Sequence, residues 1–337
     1  MFWSSRCSSK HTLLKGLKVL ELAGLAPVPH CGLLLADAGA DVTVVEKKKS
    51  NDFVEQRLIR GKRLVQADLK SSADFKEIKD MICKSDILLD PYRPGVLEKI
   101  GLDPVKLLEE NPKLIVCRLT GYGQSGPMKN EAGHDINYVG LSGLLPVISS
   151  HNTKQLWPPA NLLADFAGGG LTAAFAVLVA ALARSSNGGK GCIIDCSMVD
   201  GLAYLGTFIN MFQDVDMFWK EQYAIFKGNY PTYRTYSTKD EKSVAVGALE
   251  PQFKQILFDS ITSKLEKIFL QKTREEWTQT FKGKNACVTP VLDLSDCGTH
   301  EHNSSRGTFY SERDHWIPNF APKFYSKEEF VELRKTL

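Results

Sequence analysis

Hydrophobic residues near the start of the chain change from the period of a strand to that of a helix and back. Residues 17–22 form a short apolar run, which Gly24 and two prolines end. Residues 31–38 then carry helical periodicity, and residues 41–45 predict a second strand closed by Glu46. A strand, a helix and a strand in this order indicate the start of a doubly wound parallel sheet.

Further short apolar runs at residues 87–89, 114–118 and 192–196 extend the predicted sheet. The fold class is therefore α/β, with a large Rossmann-like parallel-sheet domain predicted over residues 15–200. Residues 1–14 are predicted to be an N-terminal tail or a short targeting segment.

The pattern changes from Gly201, where the sequence becomes aromatic-rich and weakly helical, and this predicts a linker over residues 201–231. Runs at 233–238 and 243–249 enclose a charged turn and predict a hairpin. This hairpin opens a small α+β domain over residues 232–300, and residues 301–337 form a C-terminal segment.

Two motifs carry the candidate chemistry, Ala132–Tyr138 and Asn161–Gly170. His134 precedes a predicted short helix over residues 135–142, and Asp165 precedes three glycines and an apolar run, so it is predicted to cap a buried helix. Each residue alone has an ordinary explanation, as a hydrogen-bonded histidine or a cap. His134 and Asp165 together, each at a helix N-terminus, favour proton abstraction beside a carbonyl. The helix N-termini would hold Asp165 ionised and stabilise an oxyanion.

Composition excludes several classes of function. The 42 basic and 39 acidic residues give a net charge of +3, which offers no electrostatic case for nucleic acid. The apolar run at 171–183 is shorter than the ~20 residues of a transmembrane helix, so we expect a buried helix and no membrane span. Eight cysteines without CxxC spacing favour reduced thiols in an intracellular protein.

Cofactor motifs are incomplete. The first strand is followed by Gly24 alone rather than by Gly-x-Gly-x-x-Gly, and residues 121–127 lack the Gly-Lys-Ser/Thr of a phosphate loop. Cys297, His300 and His302 lack a fourth ligand at suitable spacing, so no metal is expected. The basic residues between 47 and 63 fit either a solvated loop or a phosphate-binding segment.

The amino-acid sequences of the His134 and Asp165 motifs resemble those of the family III CoA-transferase superfamily, and within it those of the alpha-methylacyl-CoA racemases. The resemblance extends from residue 17 to residue 307. The resemblance implies a CoA-binding large domain, an interlocked homodimer, and R/S interconversion at the α-carbon of 2-methyl-branched acyl-CoA by two bases. Such reactions belong to branched-chain fatty acid and bile acid metabolism. Coenzyme A would arrive as part of the substrate, with no separate cofactor.

The resemblance also implies site residues. Glu250 would join His134 and Asp165 in catalysis, and Lys47 stands where relatives tend to carry Arg, which keeps the charge and loses the planar fork. The implied contacts with coenzyme A are Lys47, Ala67, Asp68, Leu69, Pro91, Tyr92, Arg93, Gly133, Asp135, Ile136, Asn137 and Tyr138.

Two alternatives stay open. A CoA-transferase would use Asp165 as the nucleophile that attacks the thioester, although the histidine favours the racemase. The other alternative is an inactive CoA-binding homologue, because the stretch between Phe253 and Trp277 is shorter than in relatives and the tail ends early.

The Ser-rich basic residues 1–10 fit a mitochondrial presequence or a disordered tail, and the C-terminal Leu337 is a poor match to a peroxisomal targeting signal. We expect a mitochondrial and/or peroxisomal protein.

Overall fold

The structure is a computed structural model that describes residues 12–47, 55–149, 156–261 and 265–335. The chain divides into two compact units, the first comprising Met1–Ser149 with Thr153–Phe208 and the second Ser150–Asn152 with Ile209–Leu337. The predicted presequence at residues 1–10 lies outside the described part.

The first unit contains a six-stranded sheet in the order β3-β2-β1-β4-β5-β6, and every neighbouring pair is parallel. Its strands are β1 (Lys18–Leu22), β2 (Asp41–Glu46), β3 (Arg63–Gln66), β4 (Ile87–Asp90), β5 (Ile115–Thr120) and β6 (Ile193–Ser197). The predicted doubly wound α/β fold is therefore confirmed. The strand order reverses between β1 and β4, which makes this junction the switch point of the sheet.

Helices connect the strands of the first unit. They are α1 (Pro27–Asp37), a 3₁₀ turn (Glu55–Leu58), α2 (Ser72–Cys83), α3 (Val96–Lys99), α4 (Pro104–Glu110), α5 (Asp135–Leu141), α6 (Leu145–Ile148), a π-helix (Leu162–Leu171), α7 (Thr172–Ala183) and α8 (Met198–Leu205). The central strands are buried along nearly their whole length, as expected of a parallel sheet covered on both faces.

The π-helix and α8 approach each other closely through two glycines. A Cβ atom added to Gly201 would lie 2.0 Å from the carbonyl oxygen of Gly168, far inside van der Waals contact. A Cβ atom added to Gly168 would lie 3.0 Å from the Leu202 backbone nitrogen, a tight contact that a small shift could relieve. Only glycine fits at position 201, so the segment that carries Asp165 is held against α8 by backbone packing.

The expectation of a buried helix over residues 171–183 is only half right. Hydrophobic side chains along one face of α7 are exposed, with Phe175 at 66% and Leu182 at 75%. The helical structure also begins earlier than predicted, at Leu162, because the π-helix runs directly into α7. The resulting 22-residue helix is long and apolar enough to cross a membrane by length and composition, with 33% of its most apolar window buried in the protein.

The second unit contains a three-stranded antiparallel sheet, β7 (Tyr233–Ser237), β8 (Ser243–Gly247) and β9 (Val288–Pro290), and a hairpin of β10 (Phe309–Glu312) with β11 (His315–Pro318). The predicted hairpin at 233–249 corresponds to β7 and β8. The helices of this unit, some within the predicted linker, are α9 (Thr207–Met211), α10 (Asp216–Trp219), a 3₁₀ turn (Ile225–Lys227), α11 (Pro251–Asp259), α12 (Leu265–Phe269), α13 (Arg274–Phe281), α14 (Glu301–Ser305) and α15 (Lys327–Lys335).

One residue of the basic segment has a structural role. The Lys62 Nζ donates hydrogen bonds of 2.7 Å to Glu21 Oε2 and of 2.7 Å to the carbonyl oxygen of Pro29. Both charged side chains are only 1% exposed. Burial raises the pKa of Glu21, and Lys62 opposes this shift. Lys62 therefore neutralises a buried carboxylate of the internal strand β1, and the suggestion that this residue of the basic segment binds a phosphate is wrong.

We expect Lys62→Ala to lower the free energy of unfolding by about 3–5 kcal/mol, because it leaves Glu21 buried without its partner. Urea denaturation followed by circular dichroism would measure the change. Lys79→Ala is the control: Lys79 pairs with Glu110 at 2.6 Å, but these side chains are 33% and 44% exposed, so little change is expected. Equal losses in both variants would contradict this account.

Candidate active site

A cavity of about 280 Å³ lies at the carboxyl ends of the central strands, at the switch point of the sheet. Ligands of open α/β sheets bind in such a crevice. Three segments supply most of its wall: residues 24–28 after β1, residues 91–93 after β4, and residues 119–122 at the end of β5. The loop before α5 completes it, and this is the loop that leads to His134.

Burial distinguishes the floor of this cavity from its rim. Leu119, Thr120 and Met198 are nearly inaccessible to solvent, whereas Arg93 and Lys129 are exposed. The rim can therefore hold charged groups, and the floor suits an uncharged one.

A buried carboxylate fixes the loop between β4 and α3. Asp90 Oδ1 accepts the Tyr92 backbone N–H at 2.8 Å, and Oδ2 accepts Arg118 Nε at 2.9 Å. Arg118 Nη1 donates in turn to Glu98 at 2.7 Å. Burial raises the pKa of Asp90 to about 6 against the opposing influence of the Tyr92 amide and Arg118. Sequence reasoning missed this network. The available signal was Arg118, an arginine within an otherwise apolar predicted strand.

His134 occupies the position predicted for it, immediately before α5. Its backbone N–H donates to Asn137 Oδ1 at 3.0 Å, which caps the start of the helix, and its side chain is exposed. The histidine is thus presented at a helix N-terminus by local backbone structure.

Asp135 joins the two motifs. Its side chain is buried, and Oδ1 accepts the backbone N–H of Ala164 at 2.7 Å and that of Asp165 at 3.0 Å. The residue after His134 therefore caps the helix that carries Asp165. Sequence reasoning assigned Asp135 a role through its backbone amide and missed this side-chain contact.

Asp165 differs from its prediction in position and in ionisation. It lies in the first turn of the π-helix, where Asn161 occupies the capping position. Burial raises the pKa of Asp165 to about 6, the Asp135 carboxylate raises it further, and His134 lowers it. The raised pKa departs from the expectation that a helix N-terminus would hold Asp165 ionised, because burial and then the Asp135 charge favour the protonated form.

Tyr138 connects this pair to the cavity. Its hydroxyl donates to the Gly133 carbonyl oxygen at 2.5 Å, and its ring meets Tyr122 edge-on with centroids 5.0 Å apart. The pKa of Tyr138 is raised to about 12, by burial first and then by Tyr122 and Asp165, while Arg93 lowers it. The charges of Asp165 and Arg93 are thus close enough to influence the phenol of Tyr138, which lines the cavity.

The predicted contact residues fall into three groups. Those that line the cavity are Pro91, Tyr92, Arg93, Gly133 and Tyr138. Ile136 and Asn137 are exposed in the first turn of α5. The third group lies at the ends of β2 and β3, on the same edge of the sheet. Among the described residues, its members stand outside the cavity wall: Lys47, Ala67, Asp68 and Leu69.

Glu250 belongs to the second unit, where it is the exposed N-terminal capping residue of α11. It lies near Cys287, whose pKa is raised by burial and then by the Glu250 charge. Its role beside the histidine stays a prediction.

The fold and this site define a known class: the chain belongs to CoA-transferase family III, whose family model matches residues 14–334. A CAIB/BAIF family protein from Brucella suis has the same fold, with a TM-score of 0.76 at 22% identity over 97% of this chain and 100% of its own. The predicted family is confirmed.

Individual members of this family are similar to the chain over most of its length. The chain is 42% identical to the alpha-methylacyl-CoA racemases of Mus musculus and Homo sapiens over 92% of its length, covering 85% and 86% of theirs. It is 52% identical over 96% of its length, and 98% of the relative's, to CaiB/baiF CoA-transferase family protein ZK892.4 of Caenorhabditis elegans. The names of the mammalian relatives agree with the predicted isomerase.

We expect substitutions of the two neighbours to shift the pKa of Asp165 in opposite directions. Asp135→Asn removes a negative charge and should lower it, whereas His134→Ala removes the stabilising influence and should raise it. Carboxyl ¹³C NMR titration of each variant would measure the shifts. Shifts of the same sign would contradict the arrangement.

Proposed function

We propose that this chain is an isomerase that interconverts the R and S forms of 2-methyl-branched acyl-CoA thioesters, in the metabolism of branched-chain fatty acids and bile acid intermediates. The observation that carries the proposal is the connection of the His134 and Asp165 motifs through the Asp135 carboxylate, beside a cavity at the switch point. The two mammalian relatives named as racemases support it.

In the proposed reaction, one base removes the α-proton, and the C–H electron pair moves into the thioester to form an enolate. The conjugate acid of the other base then returns a proton to the opposite face of the carbon, so that inversion leaves the number of protons unchanged. His134 serves as the base for one enantiomer and Asp165 for the other. One of the two must therefore hold a proton when the substrate binds.

The raised pKa of Asp165 suits this cycle. A carboxyl group with a pKa of 3.8 would be protonated in fewer than ~0.1% of molecules at pH 7, whereas a pKa of about 6 raises this share to roughly a tenth. The same shift makes the carboxylate a stronger base. We further propose that the amide of Asp135, at the start of α5, donates to the enolate oxygen.

We expect His134→Ala and Asp165→Ala each to lower racemisation by a factor of ~10² or more. Because each base serves one face, exchange of the α-proton in D₂O should survive for one enantiomer only, and for opposite enantiomers in the two variants. Deuterium incorporation measured separately from R and S substrate would show this. Full racemisation by either variant would rule out the two-base scheme.

Coenzyme A is proposed to extend from the cavity rim along the sheet edge. Arg93, exposed on the rim, and Lys47, exposed after β2, would meet its phosphates, with residues 67–69 and 133–138 in contact with the remainder. The exposed Lys47 is a point charge at the position where an arginine would bind through two donors.

We expect Arg93→Glu to raise KM for acyl-CoA about tenfold or more with a much smaller effect on kcat. Contacts remote from the reacting carbon are made equally in the ground and transition states. Steady-state kinetics would measure both constants. Lys99→Glu, an exposed charge reversal on α3 outside the cavity wall, is the control and should leave KM unchanged; an unchanged KM in Arg93→Glu would remove this residue from the site.

CoA transfer between carboxylic acids is the alternative, since the chain is also 25% identical to human succinyl-CoA:glutarate CoA-transferase over 87% of its length. In that reaction the Asp165 carboxylate attacks the thioester and forms an anhydride with loss of the CoA thiolate. An exposed histidine at a helix start has no part in that step, which favours the racemase. Labelled carboxylate converted into its CoA thioester by the protein would reverse this ranking.

We also propose a homodimer, and the exposed face of α7 supports it. Leu171, the last residue of the π-helix, and Phe175, Leu178, Val179 and Leu182 of α7 recur at helical spacing and are 38–75% exposed. In the interlocked arrangement implied by the family, Glu250 of one copy would meet His134 and Asp165 of the other.

We also propose a mitochondrial and/or peroxisomal location, which the sequence and the proposed substrate suggest.

We expect size-exclusion chromatography with light scattering to give twice the chain mass, and Phe175→Glu to shift this toward the monomer because it places a charge on the apolar face. Val105→Glu is the control, since Val105 is 59% exposed on α4, away from that face. A wild-type protein that is active as a monomer would contradict the homodimer.

A further inference from the structure

The direction in which the His134 side chain points depends on its backbone, since the side chain itself is exposed. The backbone of His134 is extended, with φ of −130° and ψ of 176°. Its carbonyl oxygen accepts the amide of Asn137 at 2.8 Å and that of Tyr138 at 3.4 Å. The start of α5 therefore determines the conformation of His134 on its carboxyl side.

The peptide group between Gly133 and His134 is held at both of its polar ends. Its N–H donates to Asn137 Oδ1 at 3.0 Å. Its carbonyl oxygen accepts the Tyr138 hydroxyl at 2.5 Å. Because the two bonds act on opposite edges of one planar group, they resist its rotation. Two successive side chains of α5 thus fix the conformation of His134 on its amino side as well.

Tyr138 is itself fixed against the sheet. Its side chain is buried, and its ring lies on the backbone of Gly121, the residue that follows β5. A Cβ atom added to Gly121 would lie 2.2 Å from the Tyr138 ring, so only glycine allows this approach. The edge-on contact with Tyr122 holds the ring from another side. The Tyr138 hydroxyl therefore connects the rigid end of β5 to the loop that presents His134.

The Tyr138 hydroxyl has one proton to donate, and the Gly133 carbonyl oxygen receives it. The ring can line the cavity while the hydroxyl stays engaged within the protein. A general base must lie within about 3 Å of the proton that it removes. A displacement of about 1 Å can reduce the rate ~10²-fold, so the orientation of this peptide group bears on catalysis.

We propose that Tyr138 and Asn137 are positioning residues for His134, which fix the preceding peptide group and through it the direction from which the imidazole reaches the α-carbon. The inference rests on the proposed function and adds the residues that orient one of its two bases. Asp165 is held by a different contact, from its own amide to the Asp135 carboxylate. Loss of the Tyr138 hydroxyl should therefore affect one base and spare the other.

Tyr138→Phe tests this asymmetry because it removes the hydroxyl and keeps the ring. Exchange of the α-proton in D₂O should slow about tenfold or more for the enantiomer whose exchange is lost in His134→Ala. Exchange from the opposite enantiomer should continue at the wild-type rate. Asn137→Ala, which removes the other contact, should slow exchange of the same enantiomer as Tyr138→Phe. Deuterium incorporation measured separately from R and S substrate would show each effect.

Tyr236→Phe is the matched control. The Tyr236 hydroxyl donates to the Pro231 carbonyl oxygen at 2.6 Å, again five residues earlier in the chain, and its side chain is also buried. It belongs to the second unit and does not line the cavity. Both tyrosine variants should lower the melting temperature by similar small amounts. Only Tyr138→Phe should change the exchange of one enantiomer, whereas a merely structural role would slow both alike.

Calorimetric titration with free coenzyme A distinguishes positioning from binding. Tyr138→Phe should bind coenzyme A as tightly as the wild type; weaker binding would assign the hydroxyl to the ligand and overturn the inference. Equal slowing of both enantiomers would overturn it too, as would wild-type exchange rates in Tyr138→Phe beside an active wild-type protein. Wild-type protein that exchanges the α-proton of neither enantiomer would overturn the proposed function, and this inference with it.

Discussion

The Asp135 carboxylate is the interaction on which the site depends. One of its oxygens accepts two backbone amides at the start of the π-helix, while the backbone of the same residue begins α5. Two helices from separate parts of the chain are thereby fixed to one side chain. The arrangement brings His134 and Asp165 close together. Burial of Asp165 and then the negative charge of Asp135 raise the Asp165 pKa toward the pH range in which the carboxyl can exchange protons.

A second buried carboxylate has a comparable function on the other side of the cavity. Asp90 holds the Tyr92 amide and is balanced by Arg118, which reaches Glu98. Loops are normally the more mobile parts of a fold, and this network gives the loop that carries Arg93 a rigid base on the sheet. The loop that carries Arg93 and the segments that carry His134 and Asp165 are therefore fixed by two separate buried carboxylates. The switch point supplies the crevice.

Local pattern was enough to predict five of the six strands of the parallel sheet and the position of His134, because strand runs and helix starts are determined by residues close in sequence. It was not enough for Asp165, since its pKa depends on burial and on a carboxylate thirty positions earlier in the chain. Lys62 illustrates the same limit. In sequence it belongs to a basic cluster, and only the tertiary fold brings Glu21 against it. The exposure of α7 was also hidden, because a uniformly apolar run does not reveal which face lacks a neighbour.

The π-helix adds a constraint of residue number. Its backbone hydrogen bonds join residues five apart instead of four apart, so each turn contains roughly one residue more than a turn of an α-helix. Gly168 fixes one side of this segment against α8, and Asp165 occupies a position three residues earlier. Loss of a single residue between them would rotate the carboxylate about the helix axis relative to the glycine contact, because each residue adds a fixed angle along a helix. The direction in which Asp165 points is therefore specified by the length of this segment as much as by its composition.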